Sequence, residues 1–363
     1  MRVLVVNAGS SSLKLRLLGP DDQVEASADV EPGAELDGVL RGWPGPDAVG
    51  HRVVHGGTRF TDPVVIDSGV REELEDLTAL APLHQPKSLA GLDAVTALLP
   101  EVPAVACFDT AFHTTLPGAA ATYAVPRQWR ERYAIRRYGF HGLSHAWCSA
   151  RVAELTGARR IVTAHLGAGA SLAAVLDGRS VDTTMGFTPL EGLVMATRSG
   201  TVDPGLVLWL EEHEHLSPHE VAETLEKRSG LAALAGTADM REVVAAAARD
   251  EPDAALALDV YVHRLAAGIA AMAAAAGGLE ALAFTGGVGE HAPVVRARTA
   301  ERLSFLGVAV DPARNDTSDG EITAPGAAVR TLVVPAREDL EIARGTRSVL
   351  VRGSRDRTVA DRR

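Results

Sequence analysis

The sequence predicts an α/β protein made of two related halves, and three observations support this prediction. Apolar strand patterns alternate with helical patterns along the chain, as in proteins with covered, mostly parallel sheets. A strand, a turn of small residues and a second strand occur at residues 3–18 and again at residues 161–176. The chain has 363 residues, 46% of them apolar, which is long for one core and sufficient for two domains.

The first strand pair encloses an unusually polar turn. Val3–Val6 is apolar, NAGSSS is the turn, and Leu13, Leu15 and Leu17 then alternate with Lys14 and a second basic residue. Most hairpin turns need two special residues rather than a run of small polar ones, so we expect this turn to hold an anion. A Gly/Ser turn between strands is also common by chance, but HLGAGAS repeats the design and favours a duplicated fold. The aligned positions are Asn7 with His165, Gly9 with Gly167 and, after one extra residue, Leu13 with Leu172.

Further elements follow each strand pair. Residues 19–48 predict a connector with one short element, 48–57 a strand, 71–86 and 87–100 two helices, and 102–113 a strand that leads into a loop. The second half predicts a helix at 144–157, a helical region at 205–276, a strand and glycine loop at 281–290, a helix at 292–306, a strand at 329–336 and a last helix. Residues 265–284 resemble a membrane span in composition, but two glycines and Glu280 interrupt them, so we expect a buried helix and a strand.

Composition excludes several classes of partner. The net charge of −11 argues against nucleic acid and against an anionic membrane surface, although a small anionic substrate needs only a local cluster of arginines. Cys107 and Cys148 are too few for a disulfide framework, so we expect a cytoplasmic location. The first residues read as a strand, so we expect no signal peptide.

Three glycine-rich turns follow predicted strands, at residues 7–12, 165–171 and 285–289. Such turns offer backbone N–H groups to an anion, and none of the three has the spacing of a P-loop or of a dinucleotide fingerprint. Each glycine turn alone is more often structural. Three such turns in one chain, with Lys14 beside the first, favour phosphate binding.

Charged and imidazole side chains occur next to these turns. Arg52 ends a strand beside glycines, and Arg198 lies in a loop bounded by Gly and Pro. An arginine on the open surface is usually only solvated, whereas one in such a setting is better placed to bind a carboxylate or phosphate through its planar guanidinium. His141 lies in a glycine-flanked aromatic loop, where a structural and a functional role are equally open. Asp109 follows an apolar strand, and Glu338 suits either magnesium ligation or the first turn of a helix. No pair of histidines has a convincing zinc spacing, and the weaker candidates are His84, His113, His145 and His165.

Taken together, the motifs resemble those of the acetate kinase family. They occur in the family's order from Val3 to about Arg344: NAGSSSLK, HRVVHGG, APLHQP, FDTAFH, RRYGFHGLSH, HLGAGAS, TTMGFTPLEGL, ATRSGTVDP, SGL, ADMR and FTGGVGEH. The resemblance implies the duplicated actin-like fold shared by acetate and sugar kinases, Hsp70 and actin, with two domains around a nucleotide cleft. It implies domains at 1–111 with 339–363 and at 112–338.

The resemblance also implies an activity and a set of site residues. The reaction is phosphoryl transfer from ATP to acetate, giving acetyl phosphate and ADP, with Mg²⁺ or Mn²⁺ associated with Asn7 and Glu338. The catalytic set resembles Arg52, Asp109, His141 and Arg198. The phosphate-side loop resembles Ser10, Ser12 and Lys14. The nucleotide site resembles His165, Leu166, Gly167, Ala168, Gly169, Asp239, Met240, Arg241, Gly287, Val288, Gly289, Glu290 and His291. The acyl pocket resembles Arg52, Val54, Leu83, Phe140 and Pro189.

Alternatives and departures accompany the resemblance. A propionate or short-chain acyl kinase is the first alternative, and a catalytically weak nucleotide-binding regulator on the same fold is the second. The family also implies a homodimer, with residues 253–276 as a contributor to the interface. The sequence departs from the family's pattern in a shortened 19–48 region and at Gln85, Ala168, His291 and Arg337. Three of these four residues fall on the nucleotide side, where they bear on nucleotide affinity and on the choice of phosphoryl donor.

Overall fold

The computed structural model describes residues 1–9, 12–31, 33–81, 85–316 and 319–360. Over these residues the chain forms twelve strands and fourteen α-helices. The strands are β1 (Val3–Ala8), β2 (Leu13–Leu18), β3 (Val24–Val30), β4 (Ala48–Val53), β5 (Val64–Val65), β6 (Ala104–Phe108), β7 (Arg160–Leu166), β8 (Ala170–Leu176), β9 (Arg179–Thr183), β10 (Ala281–Thr285), β11 (Gly320–Glu321) and β12 (Arg330–Val333).

The helices separate these strands along the chain. They are α1 (Leu36–Leu40), α2 (Ser68–Asp76), α3 (Gln85–Leu98), α4 (Gly118–Ala121), α5 (Arg127–Arg132), α6 (Gly142–Thr156), α7 (Pro204–Glu212), α8 (Pro218–Lys227), α9 (Gly230–Ala235), α10 (Met240–Ala247), α11 (Pro252–Ala275), α12 (Gly286–His291), α13 (Pro293–Arg302) and α14 (Glu338–Ala360). The chain divides into two compact units, the first formed by residues 1–114, 142–147 and 337–363 and the second by residues 115–141 and 148–336.

Each unit contains one six-stranded sheet, and the two sheets have the same topology. The first has the order β3-β2-β1-β4-β6-β5 and the second, read from its other edge, β9-β8-β7-β10-β12-β11. In both sheets three antiparallel strands are followed by two parallel ones and by a short antiparallel edge strand. The duplicated fold predicted from the two strand pairs is therefore present in the chain.

The strand registers correct the predicted alignment of the two repeats. In the first hairpin four residues separate the paired Ala8 and Leu13, whereas in the second three residues separate the paired Leu166 and Ala170. The extra residue therefore lies in the first turn rather than in the second. The corresponding positions are Asn7 with His165, Lys14 with Ser171 and Leu15, not Leu13, with Leu172.

Alternation along the strands of the first sheet separates two apolar layers. Val5 packs in a cluster with Ile342 of α14, whereas Val6 packs in a second cluster with Val95 of α3. Asn7 has the same parity as Val5, so it lies on the face that α14 covers. The amino-terminal end of α14 thereby comes to the carboxyl end of β1.

In the second unit, α11 packs against β7, β8 and β9. Ten of its 24 residues are buried: Ala254, Ala257, Leu258, Tyr261, Val262, Leu265, Ala266, Ile269, Met272 and Ala273. In the part of the chain that the structure describes, α11 is the one helix long and apolar enough to cross a membrane. Its buried face and the strand β10 that follows it agree with the predicted core helix and strand.

Candidate active site

The first unit collects three candidate residues at the carboxyl ends of its strands. Asn7 lies near the end of β1 and is paired with Lys14 on β2, Arg52 lies next to the last residue of β4, and Asp109 follows β6 directly. Alternation places these side chains on the sheet face that α14 covers, and Glu338 is the first residue of that helix. Ligands of open α/β sheets bind at such strand ends.

Arg52 and Asp109 form a nearly buried ion pair. Arg52 Nη2 lies 2.5 Å from Asp109 Oδ2, and Arg52 Nε lies 3.1 Å from both carboxylate oxygens. The side chains are 14% and 2% exposed. Burial alone would lower the pKa of Arg52, but the charges of Asp109 and Glu338 outweigh it and raise that pKa. Burial raises the pKa of Asp109, and the charge and hydrogen bonds of Arg52 oppose this shift. Asp109 therefore fixes the plane of the guanidinium.

The other end of the Arg52 guanidinium reaches β1. Arg52 Nη1 donates to the backbone carbonyl of Ala8 at 3.2 Å and approaches Asn7 Oδ1 at 3.4 Å. A guanidinium has five N–H donors. Among the described residues, one N–H of Nη2 has no protein acceptor, so Arg52 can still donate to a bound carboxylate.

Asn7 and Glu338 meet beside this pair. Asn7 Nδ2 donates to Glu338 Oε2 at 2.7 Å. Arg52 neutralises one of the two carboxylates, and the ligand atoms that Asn7 and Glu338 offer are oxygens. Such a set suits Mg²⁺, which takes one or two protein carboxylates together with water and substrate phosphates. No group of three or more His, Cys, Asp or Glu side chains with metal-site geometry occurs in the described part of the chain.

Arg337, a departure from the family pattern, precedes α14 and pairs with the second residue of that helix. Its Nε and Nη2 lie 2.9 Å from the two carboxylate oxygens of Asp339, and these hydrogen bonds raise the pKa of Arg337. The added positive charge is therefore matched by Asp339 and leaves the Glu338 carboxylate to the cluster. In the neighbouring turn, the Gly9 N–H donates to the Ser12 carbonyl at 2.9 Å. Ser10 lies outside the described residues.

The second unit brings His141 to the HLGAGAS hairpin. His141 Nδ1 lies 2.9 Å from Ser171 Oγ, and the His141 ring lies 4.4 Å from the His165 ring at an angle of 34°. His141 precedes α6 in the left-handed conformation, with φ at 55°. A methyl group on Gly169 would come within 3.2 Å of His141 Nε2 and 3.4 Å of Arg198 Nη1. The absence of a side chain at 169 therefore lets the His141 ring approach the turn more closely than it usually approaches a Cβ atom.

The predicted glycine loop after β10 is a short helix, α12, and side chains hold both of its ends. Glu290 Oε1 accepts hydrogen bonds from the N–H groups of Gly286 and Ala336, at 2.9 and 3.0 Å. Arg296, which is fully buried, donates to the carbonyls of Gly289 and Glu290 at 2.8 Å. The side chain of Glu290, a predicted nucleotide-binding residue, therefore binds backbone N–H groups of its own unit in this structure. Gly287, Val288 and His291 belong to the same helix.

The other predicted nucleotide residues lie at the start of α10 and in the second hairpin. Asp239 caps α10 by accepting from the Arg241 N–H at 2.9 Å and also pairs with the Arg241 guanidinium. These hydrogen bonds lower the pKa of Asp239 to about 2. Met240 is buried. Ala168 is exposed, and its carbonyl accepts from the Ala196 N–H at 3.1 Å.

The predicted acyl-pocket residues are divided between the units. Val54 lies in the first unit and is buried, and Phe140 lies buried in the second. The Pro189 carbonyl accepts from Arg198 Nη1 at 3.1 Å, so the loop at 183–193 orients this arginine. Leu83 lies outside the described residues.

Sequence reasoning missed several residues that support the candidate site residues within each unit. Ser171 and Arg296 are described above, and Gln85, seen only as a departure, is a buried clamp whose side chain bonds the backbone of His55 and Leu74. Glu191 binds Tyr123 Oη and lies 2.8 Å from Arg137 Nη2, which secures the loop at 183–193. Only Ser171 had a sequence signal, because a three-residue hairpin turn places it opposite His165.

Comparison with known proteins decides the family. The model of the acetokinase family matches residues 45–344. An acetate kinase of Thermosipho africanus is 44% identical over 400 aligned residues, which cover 97% of this chain and 98% of the relative. The chain belongs to the acetokinase family. The family resemblance drawn from the motifs is therefore confirmed.

Solved structures of acetokinase-family proteins confirm the fold class. A propionate kinase of Francisella tularensis is 36% identical, with a TM-score of 0.90 over 96% of this chain and 99% of that one. The acetate kinase of Porphyromonas gingivalis is 37% identical, with a TM-score of 0.88 over 96% of this chain and 99% of that one. The chain thus has the acetokinase fold over nearly its whole length.

Proposed function

We propose that this chain is an ATP-dependent acetate kinase, which transfers the terminal phosphoryl group of ATP to acetate and gives acetyl phosphate and ADP reversibly. Membership of the acetokinase family and 44% identity to an acetate kinase over nearly the full length support the reaction class. The observation that carries the proposal is the Arg52 guanidinium, which Asp109 and the Ala8 carbonyl hold next to Asn7 and which keeps one Nη2 N–H without an acceptor among the described residues.

The chemistry needs cations rather than a base. A carboxylic acid is ionised at neutral pH, so acetate is already a nucleophile, and its approach to the ATP phosphates brings two anions together. Arg52 binds the acetate carboxylate and Asp109 orients Arg52. His141 and Arg198 donate hydrogen bonds to the transferred phosphoryl group, whose equatorial oxygens share its negative charge in the transition state. A phosphorylated Asp109 is the less favoured alternative, because both carboxylate oxygens bind Arg52.

The metal and nucleotide complete the proposed site. Asn7 and Glu338 would hold Mg²⁺ or Mn²⁺, which supplies charge neutralisation on the phosphates when it is bound. The family resemblance assigns Ser10, Ser12 and Lys14 to the phosphate side of the site. The ATP or ADP site comprises 165–169, 239–241 and 287–291, and the loss of a polar side chain at Ala168 and the histidine at 291 are expected to alter nucleotide affinity.

Propionate is the alternative substrate. The Francisella tularensis structure with a TM-score of 0.90 is a propionate kinase, and one methylene in an apolar pocket changes the binding free energy by only about 1–3 kcal/mol. Val54 is larger than the smallest side chains and favours acetate over longer acids. The nucleotide-binding regulator is less favoured, because the chain keeps Arg52, Asp109, His141 and Arg198.

One panel of assays tests these proposals. Purified protein is incubated with ATP, magnesium and acetate, propionate or butyrate, and the acyl phosphate is trapped with hydroxylamine. We expect the highest kcat/KM with acetate and a loss of about 10³-fold or more in Arg198→Ala, by analogy with other arginines that stabilise phosphoryl transfer. A preference for butyrate would contradict the acetate assignment, and no product above the enzyme-free control would favour the regulator.

We further propose a cytoplasmic homodimer with no nucleic-acid or membrane partner. Its domains would be those that the resemblance implies, 1–111 with 339–363 and 112–338, and they differ from the compact units at residues 112–114, 142–147 and 337–338. The two cysteines are buried thiols, which suits a reducing compartment. The predicted interface segment, 253–276, buries ten residues of α11 within its own unit, whereas Leu206, Leu208 and Trp209 of α7 are exposed. We therefore assign the main apolar contact of the dimer to α7.

A further inference from the structure

His141 is held by two side chains of one hairpin. His165 on β7 and Ser171 on β8 are directly opposite each other in the strand register. The His141 ring lies 4.4 Å from the His165 ring, and its Nδ1 lies 2.9 Å from Ser171 Oγ. Ser171 is fully buried, so no bulk water competes for this contact. The Nδ1 atom of His141 is thereby hydrogen-bonded to a side chain of the protein.

The opposite nitrogen faces the glycine turn. His141 Nε2 and Arg198 Nη1 both lie against Gly169, at 3.2 and 3.4 Å from the position of a methyl group on that residue. Because the Arg198 guanidinium carries a permanent positive charge, it disfavours a second positive charge on the imidazole. The neutral ring has a single N–H, and the hydrogen bond at one nitrogen decides which nitrogen carries it.

The backbone of His141 gives a second reason for these contacts. A φ of 55° is uncommon for a residue with a side chain, and such conformations persist where the surroundings determine them. The contacts of the ring with His165 and Ser171 supply that constraint. In the hairpin of the first unit, the position that corresponds to Ser171 is Lys14, so the two hairpins carry different side chains there.

We propose that Ser171 is a positioning residue, which donates its hydroxyl hydrogen to His141 Nδ1 and so fixes the hydrogen of the ring on Nε2. The proposal rests on the phosphoryl-transfer function proposed above. In that reaction an acetate oxygen forms a bond to phosphorus while the bond from phosphorus to the ADP oxygen breaks. The charges of acetate and ATP equal those of acetyl phosphate and ADP, so no proton need be moved. His141 therefore serves as a fixed N–H donor to a phosphoryl oxygen, and a ring with its hydrogen on Nδ1 would present a lone pair instead.

A double-mutant cycle tests whether Ser171 acts through His141. We expect Ser171→Ala to lower kcat by about 10- to 100-fold, as loss of a residue that orients a site ligand does, with little change in KM for acetate or ATP. In the His141→Ala background the same change should lower kcat by less than about twofold. Ser171→Thr, which keeps the hydroxyl, should recover most of the activity. An equal loss in both backgrounds, or no loss in the single variant, would overturn the proposal.

Nitrogen NMR of histidine-labelled protein tests the tautomer without turnover. The His141 signals, assigned by their absence in His141→Ala, should show a protonated Nε2 and an unprotonated Nδ1, and Ser171→Ala should move both toward a mixture of tautomers. Thr331→Val is the matched control, because Thr331 is a fully buried residue of the same sheet whose hydroxyl bonds no other described group. A protonated Nδ1 in the unmodified protein would overturn the proposal. An inactive unmodified protein with the expected tautomer would instead count against the kinase assignment alone.

Discussion

Neighbouring residues of β4 serve opposite sides of the first sheet. Arg52 faces the site, whereas His51 has the parity of Val49 and Val53 and is buried in the apolar layers on the side of α3. Neither ring nitrogen of His51 has a hydrogen-bond partner among the described residues. Burial lowers the pKa of His51 to about 4, and Asp93 only weakly opposes this shift. The buried ring is therefore neutral at physiological pH.

This neutral ring predicts a loss of stability in mild acid. Above pH 6.5 His51 is neutral in the folded and the unfolded chain, and between pH 6.5 and 4 only the unfolded chain takes up the proton. The free energy of unfolding should fall by about 3 kcal/mol over this range because of His51. His55 has a similarly lowered pKa of about 4 and adds to the slope.

Urea unfolding at a series of pH values checks this expectation. His51→Leu should give a shallower decline between pH 6.5 and 4 than the unmodified protein, and the exposed His219→Leu should keep the original decline. Equal slopes for His51→Leu and the unmodified protein would contradict the neutral buried histidine.

At the scale of elements, α12 shows how a sequence unsuited to a helix becomes one. Three of its six residues are glycines, and so short a segment is marginal by itself. Glu290 binds the N–H groups of Gly286 and Ala336, while Arg296 binds the last carbonyls and also Asn315 through Nε at 2.9 Å. Tertiary hydrogen bonds therefore outweigh the low helix propensity.

Loss of Arg296 should consequently loosen α12. Arg296→Met would leave at least two buried carbonyls without a donor, which costs on the order of 3 kcal/mol in the free energy of unfolding. If the nucleotide contacts α12 as proposed, KM for ATP should rise more than kcat falls. Arg298→Met is the matched control, because Arg298 lies with Arg296 on α13 and its ion pair with Asp259 is partly exposed. Such an ion pair contributes less than about 1 kcal/mol to the free energy of unfolding. Equal destabilisation by the two variants would contradict this account.

The length and the apolar pattern of each element decide whether the sequence could predict it. The long strands β1, β2, β7 and β8 have apolar patterns that define both hairpins. The two-residue edge strands β5 and β11 have no such pattern, and β3 is mostly exposed or half-buried. Contacts between residues distant in sequence, such as Asn7 with Glu338, came only from the family resemblance, because no local pattern predicts them.

At the scale of the whole chain, the two sheets have the same topology but carry different side chains at their strand ends. The first sheet carries Asn7, Lys14 and Arg52 at its strand ends, with two carboxylates beside them. The second carries His165 and Ser171 at the corresponding hairpin positions. The common topology thus supplies equivalent strand ends, and the residues placed there decide that one half carries charge pairs and the other an oriented imidazole.

The exposed helix α7 makes the proposed dimer testable. Asp203 caps the helix at its amino-terminal end, and no residue of α7 is buried within the chain. Leu206, Leu208 and Trp209 are 45%, 56% and 47% exposed, and apolar side chains grouped on one exposed helix are typical of an interface. A second copy that covers them would use Trp209 as an anchor, since tryptophan dominates the binding energy of many interfaces.

Trp209→Glu should therefore separate the subunits. Loss of such an anchor weakens association by about 2 kcal/mol or more, which corresponds to at least about 30-fold in Kd. Sedimentation over a range of concentrations should give a dimer mass for the unmodified protein and a monomer mass for the variant at low micromolar concentration. Phe305→Glu, at a side chain that is 73% exposed and lies outside α7, should remain dimeric. A dimer that survives Trp209→Glu would place the interface elsewhere, and a monomeric unmodified protein would contradict the dimer itself.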